Sequence, residues 1–380
     1  MGSNEKLPRV GILGTSGSIS CAMNGPDRAL ELVGLNTGNL LFQYAIASFV
    51  KNPSLFFQLS SGLDIDWLKD NIDVLVIPAS NQLNPDGVFC NLEWWCDLIE
   101  KVDKPVVVVG LGIQSEIDGV SAINLPKWTV RFIHLLRERA TLIGVRGNSS
   151  RELLERYRVF NSVVTGCPSN FLNKDISGKS ISSRIEYFDN CLKPRICYLP
   201  GTLEEFCRGH ERSIFDLVSD SCKSIIFQTN SDILKFLLNS CNDNFSTYIE
   251  WERSILAPEN NYSEYETFLK SKGRFFFSAS SWIDYASSMD LTIGMRFHGA
   301  MAAIQGGSLG VCIAFDSRTL ELVNTMGFPY ILADDLKLLK NISNLRSIIN
   351  FDPNVFDDCR KSLAFPLLDC LNNHGVLARF

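Results

Sequence analysis

The chain has 380 residues, 46% of them hydrophobic and 21% charged, with 36 basic against 42 acidic side chains and a formal net charge of -6. That length suits about two domains with ample core, and the composition excludes a mostly disordered chain, a coiled coil and a collagen-like repeat. The acidic balance, with no basic run, argues against nucleic acid as a main partner.

The elements then alternate from end to end. Arg9 to Leu13 reads as a first strand running into a Gly/Ser-rich loop, and Asn39 to Val50 as a helix with Leu41, Ala45, Ile46 and Phe49 on one face. Asp73 to Ile77 is a strand closed by Pro78, Glu93 to Lys101 a helix, and Pro105 to Val109 a buried strand ending in Gly110-Leu111-Gly112. Lys127 to Arg139 reads as a helix, Thr141 to Val145 as a strand, Asn148 to Tyr157 as a helix and Val163-Val164 as a short strand. From Asn173 to Lys193 the apolar period lapses, which predicts a linker.

A second series follows. Arg195 to Leu199, Lys223 to Gln228, Arg274 to Phe277, Leu291 to Ile293 and Leu309 to Ala314 read as strands. Ser231 to Asn239, Ser280 to Ser288, Phe297 to Gln305, Arg318 to Met326 and Pro353 to Leu371 read as helices. All-apolar strands alternating with helices predict parallel sheets covered on both faces. The expected fold is therefore α/β, two Rossmann-like doubly wound domains facing across a cleft. The expected boundaries are an N-terminal domain over 1–175, a linker over 176–194, a C-terminal domain over 195–350 and a helical tail over 351–380. Loops at the carboxyl ends of the strands would line the cleft, where ligands bind in open α/β sheets.

No run reaches the roughly 20 apolar residues that span a bilayer, and the polar start of the chain has no signal-peptide pattern, so a cytoplasmic location is expected. The 12 cysteines are scattered with no CxxC spacing and read as small buried hydrophobes. No metal cluster and no cofactor motif emerge: the Gly11 to Ser20 loop lacks both GxGxxG and P-loop spacing. Trp94-Trp95 reads as helix packing ahead of a sugar platform, and the arginines of Lys127 to Arg139 as a solvated face.

The most informative segment is Asp290-Leu-Thr-Ile-Gly-Met-Arg-Phe-His-Gly-Ala-Met. A buried strand ends at Gly294, and Arg296 and His298 follow at the turn into a small-residue helix. A helix N-terminus favours an anion, an arginine fork suits phosphate or carboxylate, and histidine exchanges protons near neutral pH.

With Ser280 to Asp290 before it, this segment resembles the helix, acidic residue, strand and G-x-R-x-H signature of the polysaccharide pyruvyl transferase family. Asn36-Thr37-Gly38-Asn39 is similar to that family's N-x-G-D motif, and Gly110 to Gln114 to its G-x-G-x-Q loop. Arg146 to Ser150 resembles its R-D-x-x-S segment, and Gly166-Cys167-Pro168-Ser169 its G-D-P-A loop. The matches fall in order over about residues 36 to 315. Asn39, Gly147-Asn148 and Cys167 stand where the family carries Asp, whereas Arg146, Arg296 and His298 keep the family's residue types.

The resemblance implies a glycosyltransferase-B-like arrangement. It also implies transfer of the pyruvyl group of phosphoenolpyruvate onto two sugar hydroxyls of a surface polysaccharide or glycan precursor, as a cyclic ketal, with loss of phosphate. The partners it implies are phosphoenolpyruvate and a sugar or oligosaccharide acceptor, free or lipid-linked, with peripheral association with a membrane-bound glycan pathway. Arg296 and His298 are the expected catalytic residues. Arg146, Arg296, Gly294 and Gly299 would bind the donor, and Asn36, Gly38, Asn39 and Gln114 the acceptor. Two other readings fit parts of the pattern. One is a nucleotide-sugar glycosyltransferase, to which Phe315-Asp316-Ser317-Arg318 gives a weak hint. The other is an inactive sugar-binding member, suggested by the three neutral replacements.

Overall fold

A computed structural model describes residues 7–85, 91–113, 123–240, 245–339 and 341–380. Two parallel six-stranded sheets form the frame. The first contains β1 (Val10–Leu13), β2 (Ser54–Phe57), β3 (Val74–Pro78), β4 (Val106–Leu111), β5 (Ile143–Val145) and β6 (Ser162–Val164), in the spatial order β2-β1-β3-β4-β5-β6. The second contains β7 (Ile196–Leu199), β8 (Cys222–Ile226), β9 (Gly273–Arg274), β10 (Leu291–Gly294), β11 (Leu309–Ala314) and β12 (Tyr330–Leu332), in the order β12-β11-β10-β7-β8-β9. Strands β3, β4, β10 and β11 are buried at every position, so both faces of each sheet are covered.

The strand orders decide where a ligand can enter. The chain runs from β1 to β2 on one side and from β3 to β4 on the other, and likewise from β7 to β8 on one side and from β10 to β11 on the other, so the order reverses between β1 and β3 and between β7 and β10. At each of these switch points the loops part and leave a crevice beyond the strand ends. Pro200-Gly201 after β7 and Met295-Arg296 after β10 flank the second crevice. Gly294 lets them converge. It has φ 153°, and a Cβ there would lie 2.1 Å from the Leu199 carbonyl oxygen, so a side chain would push β10 off β7.

The stretch between the sheets, where a linker is expected, carries the helix Gly178–Asp189. It starts with a capping box in which the Ser177 hydroxyl accepts from Ser180 N and Ser180 Oγ accepts from Ser177 N. The expected C-terminal helix, Pro353–Leu371, returns to the first sheet: the Cys370 thiol lies 3.3 Å from the Val108 carbonyl. Beyond it the Leu377 amide donates to Asn52 Oδ1 at 2.7 Å, and Ala378 bridges Val50. The tail is thus fastened to the N-terminal half.

The two halves share one continuous hydrophobic cluster and hydrogen bonds that cross between them. The Thr37 amide donates to the Gln228 carbonyl at 2.8 Å, and the Ala279 amide to the Gly17 carbonyl at 2.8 Å. The Gln305 side chain accepts from the Asn173 amide at 2.8 Å. Among the described residues no helix is long and apolar enough to cross a membrane.

Candidate active site

A cavity of about 1060 Å³ lies between the two sheets and is walled by both halves. Its C-terminal wall holds Arg296 and Arg318. Arg296 is fixed by backbone acceptors of the β7 loop: its Nε donates to the Pro200 carbonyl at 3.3 Å, and its Nη2 to the Gly201 carbonyl at 2.8 Å and Thr229 Oγ1 at 3.2 Å. That loop is tied down in turn by Glu211, whose Oε1 accepts from the Gly201 amide at 2.6 Å and whose other oxygen accepts from the Tyr198 hydroxyl. Arg318 follows β11. Asp316 caps the helix Ser317–Met326 through the Thr319 amide at 2.7 Å and pairs with Arg318 Nη2 at 3.0 Å.

Arg146 and His298 lie beside the cavity but are not part of its lining. Arg146 is buried, its Nη1 donates to Asn81 Oδ1 at 2.7 Å, and its Nε and Nη2 meet no partner among the described residues. His298 places Nε2 3.5 Å from the Cys167 thiol, which itself lies 3.1 Å from Ser169 Oγ. Phe42 and Asn81, which line the cavity, cover the pair. The Phe42 ring centroid is 5.6 Å from that of His298 and 5.8 Å from Arg146 Cζ.

The electrostatics follow from crowding cations in a desolvated place. Burial, then Arg318, pushes Arg296 down to about 10. Burial also lowers Arg146 from the usual arginine range, with Arg318 adding to the effect. His298 falls well below the ordinary histidine value, through burial and then the charges of Arg146 and Arg318, so its imidazole is neutral. Cations drawn together in a desolvated place, and only partly offset by Asp316 beside Arg318, suit an anionic ligand.

The structure thus brings Arg146, Arg296 and His298 to one place and adds Arg318, for which the sequence alone offers only a weak nucleotide hint. Only the packing of β11 beside β10 reveals it. Asn36 and Asn39 line the cavity from the N-terminal half. Gly38 stands against the other side of the site: a Cβ there would lie 2.5 Å from Gln228 Oε1 and 3.2 Å from His298 Cβ. Gly294 and Gly299, expected to touch the donor, lie away from the cavity wall. A Cβ on Gly299 would meet Leu199 Cδ2 at 2.6 Å, so both glycines serve the closure of β10 and its helix onto β7. Gln114 lies outside the described residues. Of the neutral replacements, Cys167 touches His298, Asn39 donates to the Val33 carbonyl at 2.9 Å, and Asn148 is exposed at the start of its helix.

On the helix Leu92–Val102 both tryptophans line the cavity, Trp95 packed edge-on against Phe132 and Trp94 45% exposed, so one of the pair is packed as expected. The arginines of the helix Lys127–Arg139 behave as a solvated face, with Arg131 paired to Glu100 and Arg139 to Asp103.

Comparison with known proteins finds that residues 27–316 match the family model described as polysaccharide pyruvyl transferase. No curated protein matches. Among solved structures, similar chains include Anabaena Alr3699/HepE in complex with UDP and glucose, with 11% identity, TM-score 0.46 and coverage of 96% of this chain and 99% of that one. S. aureus MnaA with UDP has 9% identity, TM-score 0.44 and coverage of 93% and 90%. The UDP-GlcNAc 2-epimerase of Methanocaldococcus jannaschii has 13% identity, TM-score 0.44 and coverage of 94% and 99%.

Proposed function

The chain belongs to the polysaccharide pyruvyl transferase family, and from that premise we propose that it moves the pyruvyl group of phosphoenolpyruvate onto two hydroxyls of a sugar, making a cyclic ketal and releasing phosphate. One observation carries the reading. Arg296, Arg318 and the buried, partly unpartnered Arg146 converge beside a neutral His298 at the second switch point.

The donor carries a phosphate and a carboxylate, and each calls for a cationic fork. In the reaction a proton is delivered to C3 of the enol phosphate while a sugar oxygen bonds to C2 and gives up its own proton. The C2–O bond to phosphate then breaks, and phosphate leaves with the electron pair. The second hydroxyl oxygen bonds to C2, loses its proton and closes the ring. The arginines stabilise the departing phosphate. His298, neutral in the free protein and protonated as the donor's anions settle among the arginines, delivers that proton to C3 and then takes up the proton of the attacking hydroxyl. Because Phe42 covers Arg146 and His298, donor entry on this reading swings the Phe42 ring aside.

Isothermal titration with phosphoenolpyruvate, comparing the wild type with Arg296→Ala and using a nucleoside diphosphate as control, tests the reading. The expected result is phosphoenolpyruvate binding that Arg296→Ala abolishes. Nucleotide binding without phosphoenolpyruvate binding would move the assignment to a nucleotide-sugar enzyme. Silence with both ligands, on folded protein, would favour a sugar-binding member without transferase activity.

A further inference from the structure

The cavity is larger than a three-carbon phosphate requires, and its two walls differ in chemistry. The C-terminal wall is cationic. The N-terminal wall offers uncharged amides whose hydrogen-bonding capacity is only partly used. Gln58 Nε2 is buried with no partner among the described residues. Gln43 Oε1 accepts from both the amide and the hydroxyl of Thr15, while its Nε2 donates to no described residue. Asn36 Oδ1 accepts from the Gly38 amide and leaves its NH2 unused, and Asn39 spends its NH2 on Val33 and leaves Oδ1. Three donors and one acceptor thus face one space without a protein partner, and of these Gln58 Nε2 is the one closed off from solvent. A buried amide left so is unfavourable until something satisfies it.

The same wall carries the half-exposed indole of Trp94. The acidic residues at its rim are neutralised locally: Asp27 pairs with Lys235 at 2.6 Å and Glu31 with Arg28 at 3.0 Å. A ligand here meets planar groups that both donate and accept, a flat apolar ring face, and no uncompensated charge. Vicinal hydroxyls match the amides, and the C–H face of a sugar ring matches the indole.

We propose that this wall is the acceptor subsite, that it takes an uncharged pyranose stacked on Trp94, and that Gln43, Gln58, Asn36 and Asn39 hold its hydroxyls. The inference rests on the pyruvyl-transfer reading for its role, but the binding it asserts is measurable without the donor. Saturation-transfer NMR and tryptophan fluorescence are read with the methyl glycosides of glucose, galactose and mannose, and with methyl glucuronide as the charged counterpart. Each probe is taken to about 100 mM, well above a dissociation constant of about 1 mM.

At least one neutral glycoside binds about tenfold more tightly than the glucuronide. Trp94→Ala weakens that binding about tenfold, and Trp94→Phe recovers part of it. Gln58→Met weakens it while leaving the fold intact. No glycoside binding, a preference for the glucuronide, or equal binding by Trp94→Ala would each overturn the proposal. Phosphoenolpyruvate titrated into Trp94→Ala separates the two readings. Unchanged donor binding with lost glycoside binding supports both. Glycoside binding in a protein that never binds phosphoenolpyruvate removes the transferase reading and leaves the sugar subsite standing.

Discussion

Glu321, on a helix of the C-terminal half, accepts from both the amide and the hydroxyl of Ser150 in the N-terminal half, each at 2.9 Å. Ser150 lies in the first turn of the helix Asn148–Arg156, whose preceding Gly147 provides no side-chain cap. One half of the molecule thus supplies the carboxylate that the other half's helix terminus lacks. Gly147 is shaped for it: a Cβ there would lie 2.3 Å from Glu321 Cγ. Glu321→Ala leaves the Ser150 amide unpaired in a buried place and is expected to lose about 2 kcal/mol of stability. Glu321→Gln keeps an acceptor and loses less than about 1 kcal/mol. Urea denaturation of the two variants checks this, and an alanine variant as stable as wild type would show that the contact contributes nothing.

Arg146 sets function against stability. A buried guanidinium with two unpartnered nitrogens is unfavourable in the empty site. Arg146→Met fills the same space without charge, so its melting temperature is expected to equal or exceed that of wild type. Its affinity for phosphoenolpyruvate should fall at least about tenfold, as when one member of a charge-assisted pair is removed. Calorimetric melting and titration of one preparation read both quantities. A destabilised variant that still binds the donor would refute the assignment of Arg146.

Donor binding is expected to take up a proton. His298 is neutral in the free protein because burial, Arg146 and Arg318 all disfavour its cation. A phosphate and a carboxylate placed among those arginines offset their charge and raise the His298 pKa. Affinity for phosphoenolpyruvate therefore falls as pH rises through the bound-state pKa. Titration in buffers of different ionisation enthalpy reads the uptake, and His298→Asn should abolish it. Cys167→Asp puts a carboxylate where a thiol now sits 3.5 Å from Nε2 and should raise the His298 pKa even without donor, visible as a shifted imidazole titration by NMR. Uptake that persists in His298→Asn would assign the proton elsewhere.

Much of this arrangement is legible in the chain because it depends on runs that must be buried. Val106 to Leu111 and Leu309 to Ala314 have no polar face, so they can only be interior strands, and Arg296 and His298 follow directly from the end of such a strand. What the sequence hides is either short and half-exposed or made by the fold. Edge strand β2 has one buried residue of four, and the helix Glu205–Val218 carries Gly209 in its middle. Arg318 joins the site only because β11 lies beside β10. Helical spacing could tell that the two tryptophans of the Leu92–Val102 helix face differently, but not that the outward one faces a cavity built by another part of the chain.

Glu211 ties the site to pH through stability. Burial lifts its carboxyl to about 7, against the pull of Tyr198, Gly201 and Arg296 in the other direction. Its folded pKa lies above the unfolded value, so the native state binds the extra proton between about 4.5 and about 7. The contribution of this group to stability is therefore full below that window and is lost as pH rises through it, by up to about 3 kcal/mol. Glu211→Gln removes the titration while keeping an acceptor for the Gly201 amide and offering its NH2 to the Tyr198 oxygen. The wild type should lose stability from pH 5 to pH 8 relative to this variant. Glu252, lifted likewise to about 7 beside Tyr265 and Tyr248, leaves the single variant a residual slope, so the double variant Glu211→Gln/Glu252→Gln should be the flattest. Denaturant titrations at several pH values measure the three slopes. Parallel lines would mean that Glu211 stays ionised in its buried place, held there by Arg296 acting through the Gly201 loop.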